Sequence, residues 1–279
     1  MKINFLIGSL FLSVCLFAQG NNSGLKFLST QESRVTSLGE AYIISSTGAS
    51  ATIGNPAGMN LAPTSELQLG VMKYFQDINS QYLLGSYKSS ENLTFGFHLL
   101  NYKVSGIEIR EIPGESQGEF STQYLSTGLS GALKITDKLN AGLTLKFLYE
   151  KIFIDDASGF AADLGFNYIL NENMLFGGAV SNLGSMGNLR NEPTDLPVIF
   201  GVGCQYKFDL SFLKNSAFVE FRNNVKDKKS HFTATFETEY DDMLYLRLGY
   251  MTGYDSKNFT CGLGFQYWDV NLNYSFVPY

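Results

Sequence analysis

Residues 259–267 read FTCGLGFQY. In an extended chain Phe259, Cys261, Leu263, Phe265 and Tyr267 fall on one face, with Thr260, Gly262, Gly264 and Gln266 on the other. The next run, VNLNYSFVPY, sets Val270, Leu272, Tyr274 and Phe276 against Asn271, Asn273 and Ser275. A period of two with one apolar face marks a strand that is half covered. Working back, similar runs lie near 65–75, 80–88, 93–103, 121–133, 139–150, 159–170, 173–182, 197–208, 216–225, 231–240 and 243–252, about thirteen strands in all. Most exceed the ~5–6 residues of a soluble strand and match the ~9–11 that cross a bilayer.

The second face separates a membrane barrel from a soluble sandwich. It carries His98, Lys146, Glu150, Asp163, Glu220, Arg222, Glu237, Glu239 and Arg247, whereas the apolar faces carry almost no charge. A basic residue facing lipid at mid-membrane costs ~2–4 kcal/mol, so a barrel turns such groups into its lumen. Glycine and small polar residues around them suit an enclosed interior better than a water-facing sheet. The expected fold is all-β, a transmembrane antiparallel barrel of about 13–14 strands with an N-terminal plug in the lumen.

Composition agrees. The chain has 28 Gly, 23 Phe and 16 Tyr, and its charged fraction of 16% is well below the ~25% of soluble domains. A net charge of -6 without a basic stripe argues against nucleic acid as a partner. The first residues, MKINFLIGSLFLSVCLFAQG, read as a signal peptide over 1–19, with Lys2, an apolar run and a small residue at Ala18. Cys204 and Cys261 then remain, read as unpaired small apolar residues. No later segment reaches helical spanning length, so a membrane form must close its backbone hydrogen bonds as a barrel.

Connections alternate in length. Short turns fall at 89–92, 136–138, 171–173, 241–242 and 267–269, and longer polar loops at 104–119, 151–158 and 183–196. The connection at 209–216 is long for the short side. Short turns on the inner side of the membrane and long loops outside are the outer-membrane pattern. Residues 20–63 do not alternate; small and polar, they suit a plug, with the barrel taking 64–279. Asn55, Pro56, Ala57 and Gly58 favour a tight turn where plug becomes wall, or an ordinary loop.

The segment KFLSTQESRVTSLGEAYIISSTGASATIGNPAGM, residues 26–59, resembles the N-terminal signature of the PorV/PorQ family of outer-membrane proteins, within the wider FadL-like class. The matching residues are Leu38, Gly39, Asn55, Pro56, Ala57 and Gly58. FQDINSQYLLGSY, Asp163-Leu164-Gly165, SNLG at 181–184, Leu196-Pro197 and LYLRLGYMTG follow in the same order. The resemblance implies a plug that enters the wall at the Asn-Pro-Ala stretch, and a fourteen-stranded barrel. In such proteins a final turn and strand follow the segment matching YSFVP. Here the sequence stops at Tyr279, so the expectation is a truncated chain, or an edge supplied by an N-terminal segment or a partner.

Two functions follow as expectations. The resemblance implies a component of type IX secretion in the outer membrane, holding or attaching cargo through loops 104–119 and 183–196. The alternative is a FadL-like channel for small hydrophobic molecules, whose plug shifts on binding. Catalysis finds little support. His98 and His231 are the only histidines, no nucleophile can be placed beside either, and neither a cofactor nor a metal site is expected. The acidic residues Glu108, Glu111, Glu115, Glu119, Asp155 and Asp156 read as solvated loop charge. Lys146, Glu150, Glu220, Arg222, Glu237 and Arg247 are expected to form a charge ladder bracing the plug.

Overall fold

A computed structural model describes residues 32–73, 78–110, 115–226, 228–254 and 257–278. The expected signal peptide, the first part of the plug and Glu111 lie outside them. The chain opens with a short helix, α1 (Ser33–Ser37), capped by Glu32, whose carboxylate accepts from Arg34 N and Val35 N. Two 3-10 helices follow, Gly48–Ile53 and Pro56–Leu61. The strands are β1 (Glu66–Lys73), β2 (Ile78–Lys88), β3 (Leu93–Ile109), β4 (Gly118–Lys134), β5 (Leu139–Ile152), β6 (Asp155–Ile169) and β7 (Met174–Met186). A small hairpin of β8 (Asn188–Leu189) and β9 (Glu192–Pro193) intervenes. Then come β10 (Ile199–Leu210), β11 (Leu213–Asn224), β12 (Lys229–Tyr240), β13 (Leu244–Thr252), β14 (Phe259–Tyr267) and β15 (Val270–Phe276).

All but β8 and β9 form one 13-stranded sheet in chain order, each strand antiparallel to the next. Alternation of side chains gives the sheet two unlike faces. On the outer one, Leu69 and Leu129 are 75% and 74% exposed, and Phe95, Leu145, Phe160, Leu263 and Leu272 lie open beside them. Single exposed apolar side chains are ordinary, but a contiguous apolar band around a whole sheet needs lipid to cover it. Aromatic pairs close the band at one end: Phe212 with Tyr240, ring centroids 5.7 Å apart, and Tyr267 with Trp268 at 5.5 Å. Amphipathic rings at that depth are the girdle of a transmembrane barrel.

The described strands match the sequence map closely, but several connections are shorter than expected. Half of loop 104–119 is strand, because β3 and β4 run on past a bulge between Val104 and Ile107. Loop 151–158 shrinks to 153–154, and loop 183–196 holds the end of β7 and the β8–β9 hairpin. The expected long connection at 209–216 reduces to 211–212, with Ser211 at φ 58. The bulge at Ser105-Gly106, with Gly106 at φ 68, interrupts the period-two signal while backbone pairing continues beyond it. One end of the barrel thus carries turns 89–92, 135–138, 170–173, 211–212, 241–243 and 268–269. The other lies where β3, β5, β7, β11 and β13 end, and carries the turn 153–154 and the segment 187–198 with its β8–β9 hairpin.

Candidate functional site

The plug lies against the inner face and touches every strand of the sheet. Its second 3-10 helix begins at Asn55, which caps it: Oδ1 accepts from Ala57 N at 3.2 Å. Pro56 occupies the first turn, where its missing N–H costs nothing. Asn55 Nδ2 donates to the carbonyls of Ile43, at 3.1 Å, and Phe166, at 3.0 Å, stitching two plug segments to β6. A Cβ on Gly58 would meet Ser46 O at 2.4 Å, so only glycine fits that crossing. Asn55, Pro56, Ala57 and Gly58 therefore sit deep in the plug as the start of a helix. The passage into the wall lies further on, before Glu66, instead of at this turn as the sequence suggested.

Close approach also explains the glycine content of the wall. Cβ atoms on Gly142 and Gly165 would fall 2.4 Å from Ala57 N and 2.0 Å from Asn55 Oδ1. The inner face is smooth where the plug backbone slides along it.

Charged contacts fasten the plug at two levels. Near the short-turn end Arg34 grips Glu237, with Nε at 3.1 Å and Nη2 at 2.8 Å. Arg247 Nε reaches the same carboxylate at 2.6 Å and its Nη1 donates to Asn273 at 2.7 Å. Toward the opposite end Glu220 Oε2 accepts from Ile43 N at 2.9 Å and Ile44 N at 3.0 Å. Arg222 Nε lies 3.1 Å from Glu220 Oε1, out of hydrogen-bond alignment, while its guanidinium covers the Tyr42 ring at 4.5 Å. Tyr254 donates to Glu40 at 3.1 Å, and Lys257 pairs with Glu40. Burial pushes the Tyr42 and Tyr254 phenols up from their ordinary value, against the pull of Arg222, so Tyr254 stays a neutral donor.

The expected ladder is thus three separate groups. Glu237 with Arg247, and Glu220 with Arg222, hold the plug. Lys146 instead pairs wall to wall with Asp163 at 2.7 Å and Asn182 at 2.5 Å. Asp163 accepts from Asn182 N at 2.7 Å where the β6–β7 ladder bulges. Glu150 is buried on the same inner face of β5. His98 is buried, its Nε2 3.1 Å from Ser126 Oγ. His231 stacks on Tyr254 at 4.0 Å. Among the described residues no group of three or more His, Cys, Asp or Glu side chains is placed to hold a metal. Glu239 pairs with Lys214 at 3.2 Å near the short turns, and Cys204 and Cys261 are free.

A second feature was not expected. Toward the long-connection end an apolar cluster interrupts the polar inner face of β2–β6: Leu84, Leu100, Tyr102, Leu148 and Ala161, with Leu196 from the segment before β10, pack on Ala49 and Ile53 of the plug, beside Lys146, Glu150 and Asp163. Tyr82, Val104, Tyr124 and Met186 flank them. The doublets Leu83-Leu84, Leu99-Leu100 and Phe147-Leu148 were the available signal, since two adjacent apolar residues make both faces of a strand dry. Across the lumen, β11 and the segments beside β13 and β14 present Arg222, Tyr254 and Lys257. The apolar cluster thus stands on the β2–β6 side of the lumen, with Lys146, Glu150 and Asp163 among it, facing the Arg222, Tyr254 and Lys257 group.

No protein-family model matches the chain, and no curated protein does. Solved structures do. The Pseudomonas putida toluene transporter TodX shares 14% identity over 86% of this chain and 90% of its own, with a TM-score of 0.64. The CymD monoaromatic hydrocarbon channel shares 12% over 90% and 94%, at 0.61. The fold is the FadL-like barrel. A Pseudomonas aeruginosa FadL homologue agrees at 10% identity over 89% and 90%, with a TM-score of 0.55.

Proposed function

We propose that this FadL-like barrel resides in the bacterial outer membrane and admits small hydrophobic molecules, which dock on the apolar cluster of the β2–β6 inner face as the plug shifts off it. The observation that carries this reading is the patch around Leu84, Leu100, Tyr102 and Leu148, placed beside the plug residues Ala49 and Ile53. Once the plug moves away, these side chains give an apolar solute a place to leave water, at roughly 25 cal/mol per Å² removed. The named neighbours, a toluene transporter and a monoaromatic hydrocarbon channel, support the same substrate class. Passage requires the plug contacts to loosen, since the plug reaches every strand.

The test is uptake of radiolabelled toluene and oleate by cells with and without the protein. Wild type should raise uptake of at least one, and Leu100→Arg or Leu148→Arg should abolish the gain while the barrel still assembles. Equal uptake in all strains would reject the reading.

A second reading, a component of type IX secretion, is favoured by the PorV/PorQ-like order of motifs across the chain and by a plug tied to the wall on all sides. Cargo would then meet the β3–β4 tip and the β8–β9 hairpin. Normal surface delivery of cargo bearing the pathway's C-terminal signals in a deletion strain would end it.

A further inference from the structure

The outer face of the wall changes character along one line of the strand register. On β1, Leu67, Leu69 and Val71 point outward and are exposed, and the next outward residue is Lys73. The register then runs from Lys73 to Asn79 on β2, to Lys103 on β3, to Gln123 on β4 and to Lys151 on β5. It ends at Asp156 on β6. Two residues nearer the short turns the line is mixed, from Val71 to Tyr149. One step further it is apolar but for Thr127 on β4, with Leu69, Leu83, Leu99, Phe147 and Phe160. The lysines thus stand at the upper margin of the lipid-facing band, at the long-connection end.

Their surroundings differ from those of Lys88, Lys134 and Lys214 near the short turns. There Lys134 pairs with Asp137 at 2.9 Å, Lys214 with Glu239 at 3.2 Å, and Lys88 donates to Ala62 O at 3.0 Å. Among the described residues Lys73, Lys103 and Lys151 are exposed and make no ion pair. Asp156 adjoins Lys151 across the strands without forming one, and nearby Asp155 is engaged by Arg190 at 3.6 Å. Alternate strands lie about 10 Å apart, so the lysines are spaced along a ledge, with Asn79 and Gln123 between them.

We propose that Lys73, Lys103 and Lys151 form a binding ledge for the phosphate groups of phosphorylated lipids in the leaflet at the long-connection end. Their methylene stems lie along the top of the apolar band while the ammonium groups reach headgroup level. The band holds the acyl chains of the same lipid directly below. A cation beside hydrocarbon with no carboxylate partner lowers its free energy by meeting an anion that the membrane supplies.

The experiment titrates the full chain in detergent with bis-phosphorylated lipid A and follows binding by native mass spectrometry. Each lysine near an anionic lipid surface contributes about fivefold in affinity, so the variant Lys73→Gln/Lys103→Gln/Lys151→Gln should bind on the order of a hundredfold more weakly. Dephosphorylated lipid A should bind wild type as weakly as phosphorylated lipid A binds the variant. Inorganic phosphate alone should show no comparable binding. If the triple variant fails to fold, Lys103→Gln alone should lose about fivefold. Equal affinity of wild type and variant, equal binding of the dephosphorylated lipid, or equally tight inorganic phosphate would each overturn the proposal.

Discussion

Replacing Glu220 by Ala tests how the plug is held. One oxygen of this carboxylate takes the N–H groups of Ile43, at 2.9 Å, and Ile44, at 3.0 Å, and the other lies 3.1 Å from Arg222 Nε. Truncation leaves two buried donors without an acceptor, at ~1–3 kcal/mol each. It also strips Arg222 of a buried partner, a change that costs ~3–5 kcal/mol where nothing else compensates. Here Tyr254 and the Tyr42 ring remain beside the guanidinium, so the lower end of that range applies. Taking ~1 kcal/mol for each N–H and ~3 kcal/mol for Arg222, the docked plug should lose about 5 kcal/mol, which at ~1.4 kcal/mol per decade is on the order of a few thousandfold. Amide hydrogen exchange in detergent reads this directly: protection of Ile43 and Ile44 should fall by that factor, while amides of β5 and β6 stay protected. Glu220→Gln keeps a carbonyl oxygen and should retain most of the protection. Unchanged exchange at Ile43 and Ile44 in the alanine variant would refute the reasoning.

The wall glycines give a paired comparison. Gly165→Ala drives a methyl into Asn55 and should lower heat stability by ~1–3 kcal/mol. Gly131→Ala, with nothing within 4 Å of its Cβ, should stay within ~0.5 kcal/mol. Heat-modified migration on gels separates the two, and equal shifts would contradict the contact. Trp268 is the sole tryptophan and is 83% exposed in the two-residue turn after β14. In bilayers its emission should be quenched more by lipids brominated near the headgroup than by mid-chain bromines. Free quenching by aqueous iodide would place that end of the barrel outside the interface.

The strands were legible because the apolar band imposes its own pattern: Phe259, Cys261, Leu263 and Phe265 face one environment and Thr260, Gly262 and Gly264 another. The pattern breaks at the bulge between Val104 and Ile107, so residues 104–109 and 118–120 looked like loop although their backbones stay paired. Glu220, Glu237 and Arg247 were identifiable as inward charges, since lipid cannot hold them. Their plug partners were not, because Arg34, Ile43 and Ile44 are joined to Glu237 and Glu220 only by tertiary approach. The apolar luminal patch was overlooked for a different reason. Leu84, Leu100 and Leu148 broke the alternation, and a polar interior was inferred from the other strands.

Arg34 meets Glu237 across 203 residues, and Gly39 N meets Thr260 across 221. The start of the described chain is held by strands that are synthesised last. Contacts so distant in sequence form late, because a large loop must close before they give any return. A partly assembled wall would offer α1 no counterpart, so seating of this segment reports that β12–β14 have joined the sheet.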